Sequence, residues 1–276
     1  MSSCVHKEWR IVGRTAGEVK TRSLIMTSDF DLSGKVAIVT GGNGGIGYGI
    51  ARGLARAGAS IVVAARQPAK NAQAIAALRE IGVQALSVVT DVQDEAAVRA
   101  MVHATAETFG RVDILVNNAG INIRKAPQDY TLAEWQQVLN TNLTGVFLCS
   151  QAVYPCMVRA GGGKIINIGS MTSIFGSNVS PAYAATKGGV VQFTKSLAIF
   201  WAKDNIQVNA ILPGWIHTDL TASASSERYA FIKARIPHGR WGEPDELAGA
   251  AVFLASRASD YVTGIALPVD GGYTSM

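Results

Sequence analysis

From Gly34 onward, short runs of β-branched and aliphatic residues alternate with longer Ala/Leu-rich stretches whose apolar positions recur at helical spacing. This is the pattern of βα units, in which each strand feeds a helix that returns the chain to a parallel neighbour. Strands are predicted at 36–40, 60–65, 85–90, 114–117, 164–168, 207–212 and 265–269. Most are apolar throughout instead of alternating, which suits a sheet covered by helices on both faces. Helices are predicted at 45–57, 69–81, 94–109, 131–158, 181–203 and 244–256. Their starts carry capping chemistry: Asp94 before Glu95, Thr131 with Glu134 as a capping box, Ser180 before Pro181, and Gly242 to Pro244 ahead of an acidic turn.

These elements predict one α/β domain over 31–276, a Rossmann-like doubly wound seven-stranded parallel sheet with helices on both faces. No linker divides it and no repeat of 20 to 50 residues is evident. The segment 215–241 reads as a substrate lid, with 219–241 the least regular part of the body. Residues 1–30 are expected to be a mobile N-terminal extension, with Met26 a candidate native start.

Composition narrows the class. At 276 residues with 48% hydrophobic and 16% charged residues, the chain is too apolar for intrinsic disorder. The net charge of +5 is concentrated in the first 26 residues, which hold five Lys/Arg against two acids. The nearly neutral body gives no support for nucleic-acid binding. No apolar run is long enough to span a bilayer, and the leader lacks the apolar centre of a secretory signal. Cys4, Cys149 and Cys156 form no metal-ligand spacing, so no metal site is expected and a reducing cytoplasm is the simplest compartment.

The first strand runs into Thr40-Gly-Gly-Asn-Gly-Gly-Ile-Gly47 and then a helix, the context that a dinucleotide-binding turn requires. Gly41 allows the tight turn, Gly45 lets backbone N–H groups approach a pyrophosphate, and Gly47 lets helix and strand pack closely. After the second strand stands Arg66 where a ribose-binding acid would favour NAD, so a 2′-phosphate partner and NADP are expected. Asp91 ends the third strand, suited to an adenine amino group or a turn cap. Asn117-Asn118-Ala119-Gly120 follows the fourth strand, where the asparagines are expected to brace strand ends through backbone bonds.

Candidate chemistry sits on Ser170, after the fifth strand, and on Tyr183 and Lys187, which share a helical face at i,i+4. The ammonium of Lys187 is expected to lower the Tyr183 phenol toward neutrality, letting it exchange a proton with a substrate hydroxyl that Ser170 also binds. Asn142, on the helix before the fifth strand, is placed to complete a water-linked relay through Lys187.

Thr40-Gly-x-x-x-Gly45-x-Gly47, Asn117-Asn-Ala-Gly120, Asn142, Ser170, Tyr183-x-x-x-Lys187 and Pro213-Gly214 together resemble the short-chain dehydrogenase/reductase family over about residues 31–276. The resemblance implies an NAD(P)-dependent alcohol dehydrogenase or ketoreductase with a catalytic tetrad of Asn142, Ser170, Tyr183 and Lys187. It implies a cofactor groove to which Asn43, Ile46, Val92, Asn118, Ala119, Gly120, Tyr183, Pro213, Gly214, Ile216 and Thr218 also contribute, with Lys187 on the nicotinamide ribose. It further implies a homotetramer, or a dimer, with Val269-Asp-Gly-Gly-Tyr273 at a subunit contact.

Asn118 to Lys125, the run ending at Ser173, and Arg240-Trp-Gly-Glu-Pro244 look like the sugar-acid and polyol branch, for instance gluconate 5-dehydrogenases. 3-Oxoacyl-acyl-carrier-protein reductase is the alternative with the same catalytic set. A non-catalytic NAD(P)-sensing protein is the alternative of another class, against which the intact tetrad counts. Substrate selection is expected from Asn122, Arg124, Lys125, Met171 and Thr172, and from Trp215, His217, Arg235, His238, Arg240 and Trp241 in the lid.

Overall fold

A computed structural model of the chain describes residues 29–222 and 225–276. All but the last two residues of the expected N-terminal extension lie outside the described residues.

Seven parallel strands form one sheet in the order β3-β2-β1-β4-β5-β6-β7. They are β1 (Val36–Thr40), β2 (Ser60–Ala65), β3 (Ala85–Val89), β4 (Ile114–Asn117), β5 (Gly163–Ile168), β6 (Ile206–Pro213) and β7 (Ala266–Val269). The helices are α1 (Gly45–Arg56), α2 (Pro68–Glu80), α3 (Glu95–Phe109), α4 (Leu132–Leu139), α5 (Gly145–Arg159), α6 (Pro181–Trp201), α7 (Ser226–Ala234) and α8 (Ala248–Ala255).

Alternate residues of each central strand feed two cores. Ala37 and Val39 join Ile50 and Leu54 of α1 and Leu254 of α8 on one face. Val36 and Ile38 join Met101 of α3, Val153 of α5 and Ala198 of α6 on the other. Burial on both faces explains why β1 and β4 are apolar at nearly every position, whereas the edge strand β3 alternates.

Four local expectations are corrected. The single helix expected over 131–158 is divided: α4 ends at Leu139, a π-helical turn spans Asn140–Thr144, and α5 follows. That turn carries Asn142, whose tertiary bonds, described below, compete with regular helix. The region 219–241 contains a helix, α7, capped by Ser225, whose side chain accepts from the Arg228 N–H. Ser180 precedes α6 but makes no side-chain cap bond. Asp94 and the Thr131–Glu134 box cap α3 and α4 as expected. Finally, Asn117 bonds side chains and not backbone, its amide donating to Asn167 Oδ1 (2.8 Å) and Ser150 Oγ (3.1 Å).

The strand order reverses between β1 and β4. Loops leaving their carboxyl ends part to opposite faces and open a crevice there.

Candidate active site

The crevice holds a cavity of about 930 Å³, bounded by the loops after β1, β4, β5 and β6 and by α7. Its floor is the glycine turn. Gly41 and Gly45 have φ of +64° and +50°, and a Cβ on Gly47 would stand 2.3 Å from Asn118 Nδ2 and 2.4 Å from the Gly41 carbonyl. Asn118 is fixed there because its amide donates to the carbonyls of Thr40 (2.9 Å) and Gly41 (3.2 Å). The Thr40 hydroxyl accepts from the N–H groups of Asn118 and Ala119, tying the β1 and β4 loops together. Among the described residues no side chain caps the start of α1, so its first N–H groups face the crevice without a competing carboxylate from them. This cradle fits the diphosphate of a dinucleotide.

Asn43 donates to Asn71 Oδ1 (2.7 Å), and the buried Asn71 amide donates to the Ala65 carbonyl (2.8 Å). Asn71 thus locks the glycine turn to β2, a role invisible to motif reading.

Tyr183 and Lys187 open α6 and face the cavity from the far wall. Lys187 is buried, and its ammonium donates to the Ile168 carbonyl at the end of β5 (2.6 Å). It lies 5.5 Å from the Tyr183 ring centroid. Burial holds the Lys187 ammonium down to about 8. Ser170 ends the loop after β5, accepts from the Thr172 N–H (3.1 Å) and hydrogen-bonds the Tyr183 hydroxyl.

The expected lowering of Tyr183 by Lys187 is not found. Burial dominates and raises the phenol, while the Ser170 hydrogen bond and the Arg124 charge pull it back down. The ammonium is itself penalised by the same dry surroundings and is directed at Ile168.

Asn142 sits on the π-helical turn Asn140–Thr144. Its Oδ1 accepts from the Ile121 N–H (2.8 Å), and its Nδ2 donates to the Ile121 carbonyl (2.9 Å) and Thr186 Oγ1 (3.3 Å). Among the described residues, none of its side-chain bonds goes to Lys187.

Of the expected cofactor set, Gly41, Asn43, Gly45, Ile46, Asn118, Ala119 and Gly120 line the cavity on one side. Tyr183, Lys187, Pro213, Gly214, Ile216 and Thr218 line it on the other. Gly47 lies beneath it. Arg66 and Asp91 stand outside it as an exposed pair, Nη1 to Oδ2 3.9 Å, and Asp91 Oδ1 also accepts from the Gln93 N–H. The Val92 side chain is buried in the core against Gly145.

Among expected substrate residues, Asn122, Arg124, Met171, Thr172, Trp215 and Arg235 line the cavity. Lys125 and Arg240 do not, being paired with Glu134 (2.8 Å) and Glu246 (2.6 and 2.7 Å). His217 and Trp241 belong to the aromatic cluster that ties the lid to its root, with Trp241 4.8 Å from Tyr229. His238 also stands outside the lining. Lys70, Arg228 and Phe231 line it with no sequence motif to mark them, and Tyr273, expected at a subunit contact, lines it as well.

The family profile described as enoyl-(acyl carrier protein) reductase matches residues 41–274. The chain is 45% identical over 253 residues to 2-dehydro-3-deoxy-D-gluconate 5-dehydrogenase of Dickeya dadantii, covering 90% of this chain and 99% of that one. It is 43% identical over 244 residues to cis-4-hydroxycyclohexanecarboxylate dehydrogenase of Sinomonas cyclohexanicum, covering 88% and 97%. A crystal structure of gluconate 5-dehydrogenase from Burkholderia cenocepacia with NADP and tartrate superposes with a TM-score of 0.87 at 43% identity, covering 91% and 99%. With this match and the site geometry, the chain belongs to the short-chain dehydrogenase/reductase family and is an NAD(P)-dependent oxidoreductase.

Proposed function

We propose that the protein interconverts a secondary alcohol and a ketone on a hydroxycarboxylate of the sugar-acid type, with NADP(H) preferred over NAD(H). The observation that carries this reading is the charge of the cavity. Arg124 lies close enough to Tyr183 to act on its phenol, and Arg228 and Arg235 line the same cavity. Among the described lining residues the single acid is Asp219. A substrate carboxylate gripped by guanidinium groups would orient the carbon chain toward Tyr183.

The bound coenzyme supplies or accepts the hydride. Tyr183 then moves the proton, donating it to the carbonyl oxygen during reduction and receiving it during oxidation. Ser170 hydrogen-bonds the same oxygen, Lys187 holds positive charge beside the phenol, and Asn142 fixes the loop that follows Gly120. Arg66, beyond β2, supports the NADP preference as a partner for a 2′-phosphate.

A second substrate body is favoured by the cavity mouth, where Phe175, Leu220, Phe231 and Met276 expose 40%, 44%, 66% and 72% of their surface. Such walls suit a ring-bodied hydroxycarboxylate better than an open polyol.

We also propose a homotetramer. Support comes from α5 and α6, which expose Phe147, Ile199 and Phe200 beside an apolar depression lined by Leu143 and Phe193. Light scattering on the purified protein tests it.

The functional test is oxidation of NADPH and NADH against 5-ketogluconate, 4-oxocyclohexanecarboxylate, a neutral ketose and an acetoacetyl thioester. Turnover of a keto acid, with KM raised at least tenfold by Arg124→Met, is expected. Turnover of the thioester alone would transfer the protein to the acyl-reductase branch.

A further inference from the structure

Lys70 stands in the first turn of α2, where the helix dipole disfavours a cation and where no acidic residue accompanies it. A residue that breaks a local rule invites a functional reason. Its ammonium lies against the glycine turn: a Cβ on Gly44 would come within 2.9 Å of Nζ and 3.0 Å of Cε. From there Nζ reaches Asp219 Oδ2 at 3.0 Å, bridging α2 to the root of the lid. The neighbouring Thr218 methyl would be 3.3 Å from a Cβ on Gly45, so this bridge crosses the mouth of the dinucleotide cradle.

The bridge is exchangeable. Asp219 exposes 94% of its side chain and Lys70 40%, so water and salt weaken the pair. A phosphate carries more charge than Asp219 and would lie beside the first N–H groups of α1, which no described side chain caps. Arg66 leans the other way, toward Asp91, leaving Lys70 as the cation at the Gly44 side of the groove among the described residues.

We propose that Lys70 is a phosphate-binding residue of the coenzyme site, which exchanges Asp219 for a phosphate of the incoming dinucleotide. That phosphate is either the 2′-phosphate or the bridging diphosphate. Releasing Asp219 as the nucleotide arrives couples coenzyme binding to the lid that also lines the substrate cavity.

The test is equilibrium titration of the full chain with NADPH and NADH, followed by nucleotide fluorescence, for wild type, Lys70→Met, Lys70→Arg and Asp219→Asn. Lys70→Met keeps the apolar stem and is expected to weaken NADPH at least fivefold and to flatten the salt dependence of its affinity, with Lys70→Arg restoring most of the loss. A loss confined to NADPH assigns the 2′-phosphate, and an equal loss for NADH assigns the diphosphate. Unchanged affinity for both overturns the proposal. Asp219→Asn frees the ammonium and is expected to bind NADPH as tightly as wild type or tighter. A loss matching that of Lys70→Met would show that the pair only holds the lid, and would overturn the exchange. The inference rests on the NAD(P) reading, and the two fail separately. Wild-type protein that binds neither nucleotide sinks that reading, whereas normal wild-type binding unchanged in Lys70→Met sinks only the role of Lys70.

Discussion

The ammonium of Lys187 donates to the carbonyl of Ile168 across 2.6 Å, pinning the first turns of α6 to the end of β5. The bond orients a cation that burial would otherwise expel, and it leaves that cation 5.5 Å from the Tyr183 ring. The pair proposed to carry the proton transfer is thus set where a strand end meets a helix start.

Burial of Lys187 predicts a pH-dependent stability. The group titrates near 10.5 when unfolded and at about 8 when folded. Between these values the unfolded chain binds a proton that the folded chain has released, so stability rises with pH across the window and is flat below it. The full difference is about 3 kcal/mol. Urea midpoints of wild type should therefore climb relative to Lys187→Met between pH 8 and 10. A constant gap from pH 6 to 10 would show that the ammonium carries no burial penalty.

Tyr183→Phe should lower kcat by about 10²- to 10⁴-fold while leaving the NADPH dissociation constant within about twofold. Burial raises the phenol, so the protonated form needed for reduction prevails at neutral pH, and oxidation should accelerate as pH rises. Because Arg124 pulls the phenol down, Arg124→Met should move the rising limb of the oxidation profile to higher pH. Turnover that survives in the phenylalanine variant would remove Tyr183 from the proton path.

The sequence carried the sheet almost to the residue, because central strands buried on both faces must be apolar without interruption and glycines punctuate their ends. It did not show α7, whose single buried residue is Ile232, too few for a helical period to register. Nor did it show the break at Asn140–Thr144, which is stabilised from outside the helix by Ile121 and Thr186. Tyr183 and Lys187 were legible as a pair from their spacing alone. How dry their surroundings are was not, since burial is contributed by distant segments. The place of Lys70 was illegible for a similar reason, as 149 residues separate it from Asp219.

Gly47→Ala should impair coenzyme binding more than tenfold. Its Cβ would overlap Asn118 Nδ2 and the Gly41 carbonyl, and neither can retreat because they bond each other. Overpacking of this kind costs about 1–3 kcal/mol of stability. Gly249→Ala is the matched control: it sits in α8 with nothing among the described residues within 4 Å of the added methyl, and it should gain about 0.5–1 kcal/mol. Thermal melts and NADPH titrations of the two variants check the contrast, and a neutral Gly47→Ala would contradict the close-packed turn.

Asn142 tests whether a tetrad residue acts by chemistry or by position. Its carboxamide grips both backbone groups of Ile121, and it stands 3.4 Å from where a Cβ on Gly120 would be, so it sets the loop from Gly120 to Asn122 that lines the cavity. Asn142→Ala strands the Ile121 N–H and carbonyl, at about 1–3 kcal/mol for each group left unpaired. A positioning role therefore predicts a lowered melting temperature, weaker NADPH binding and reduced kcat together, with the pH profile unshifted. Asn142→Asp keeps the acceptor for the N–H but turns a carboxylate on the carbonyl, and should be no better than alanine. If Asn142→Ala instead keeps wild-type stability and nucleotide affinity while the pH limb of kcat moves, the residue belongs to the proton relay and its grip on Ile121 is incidental.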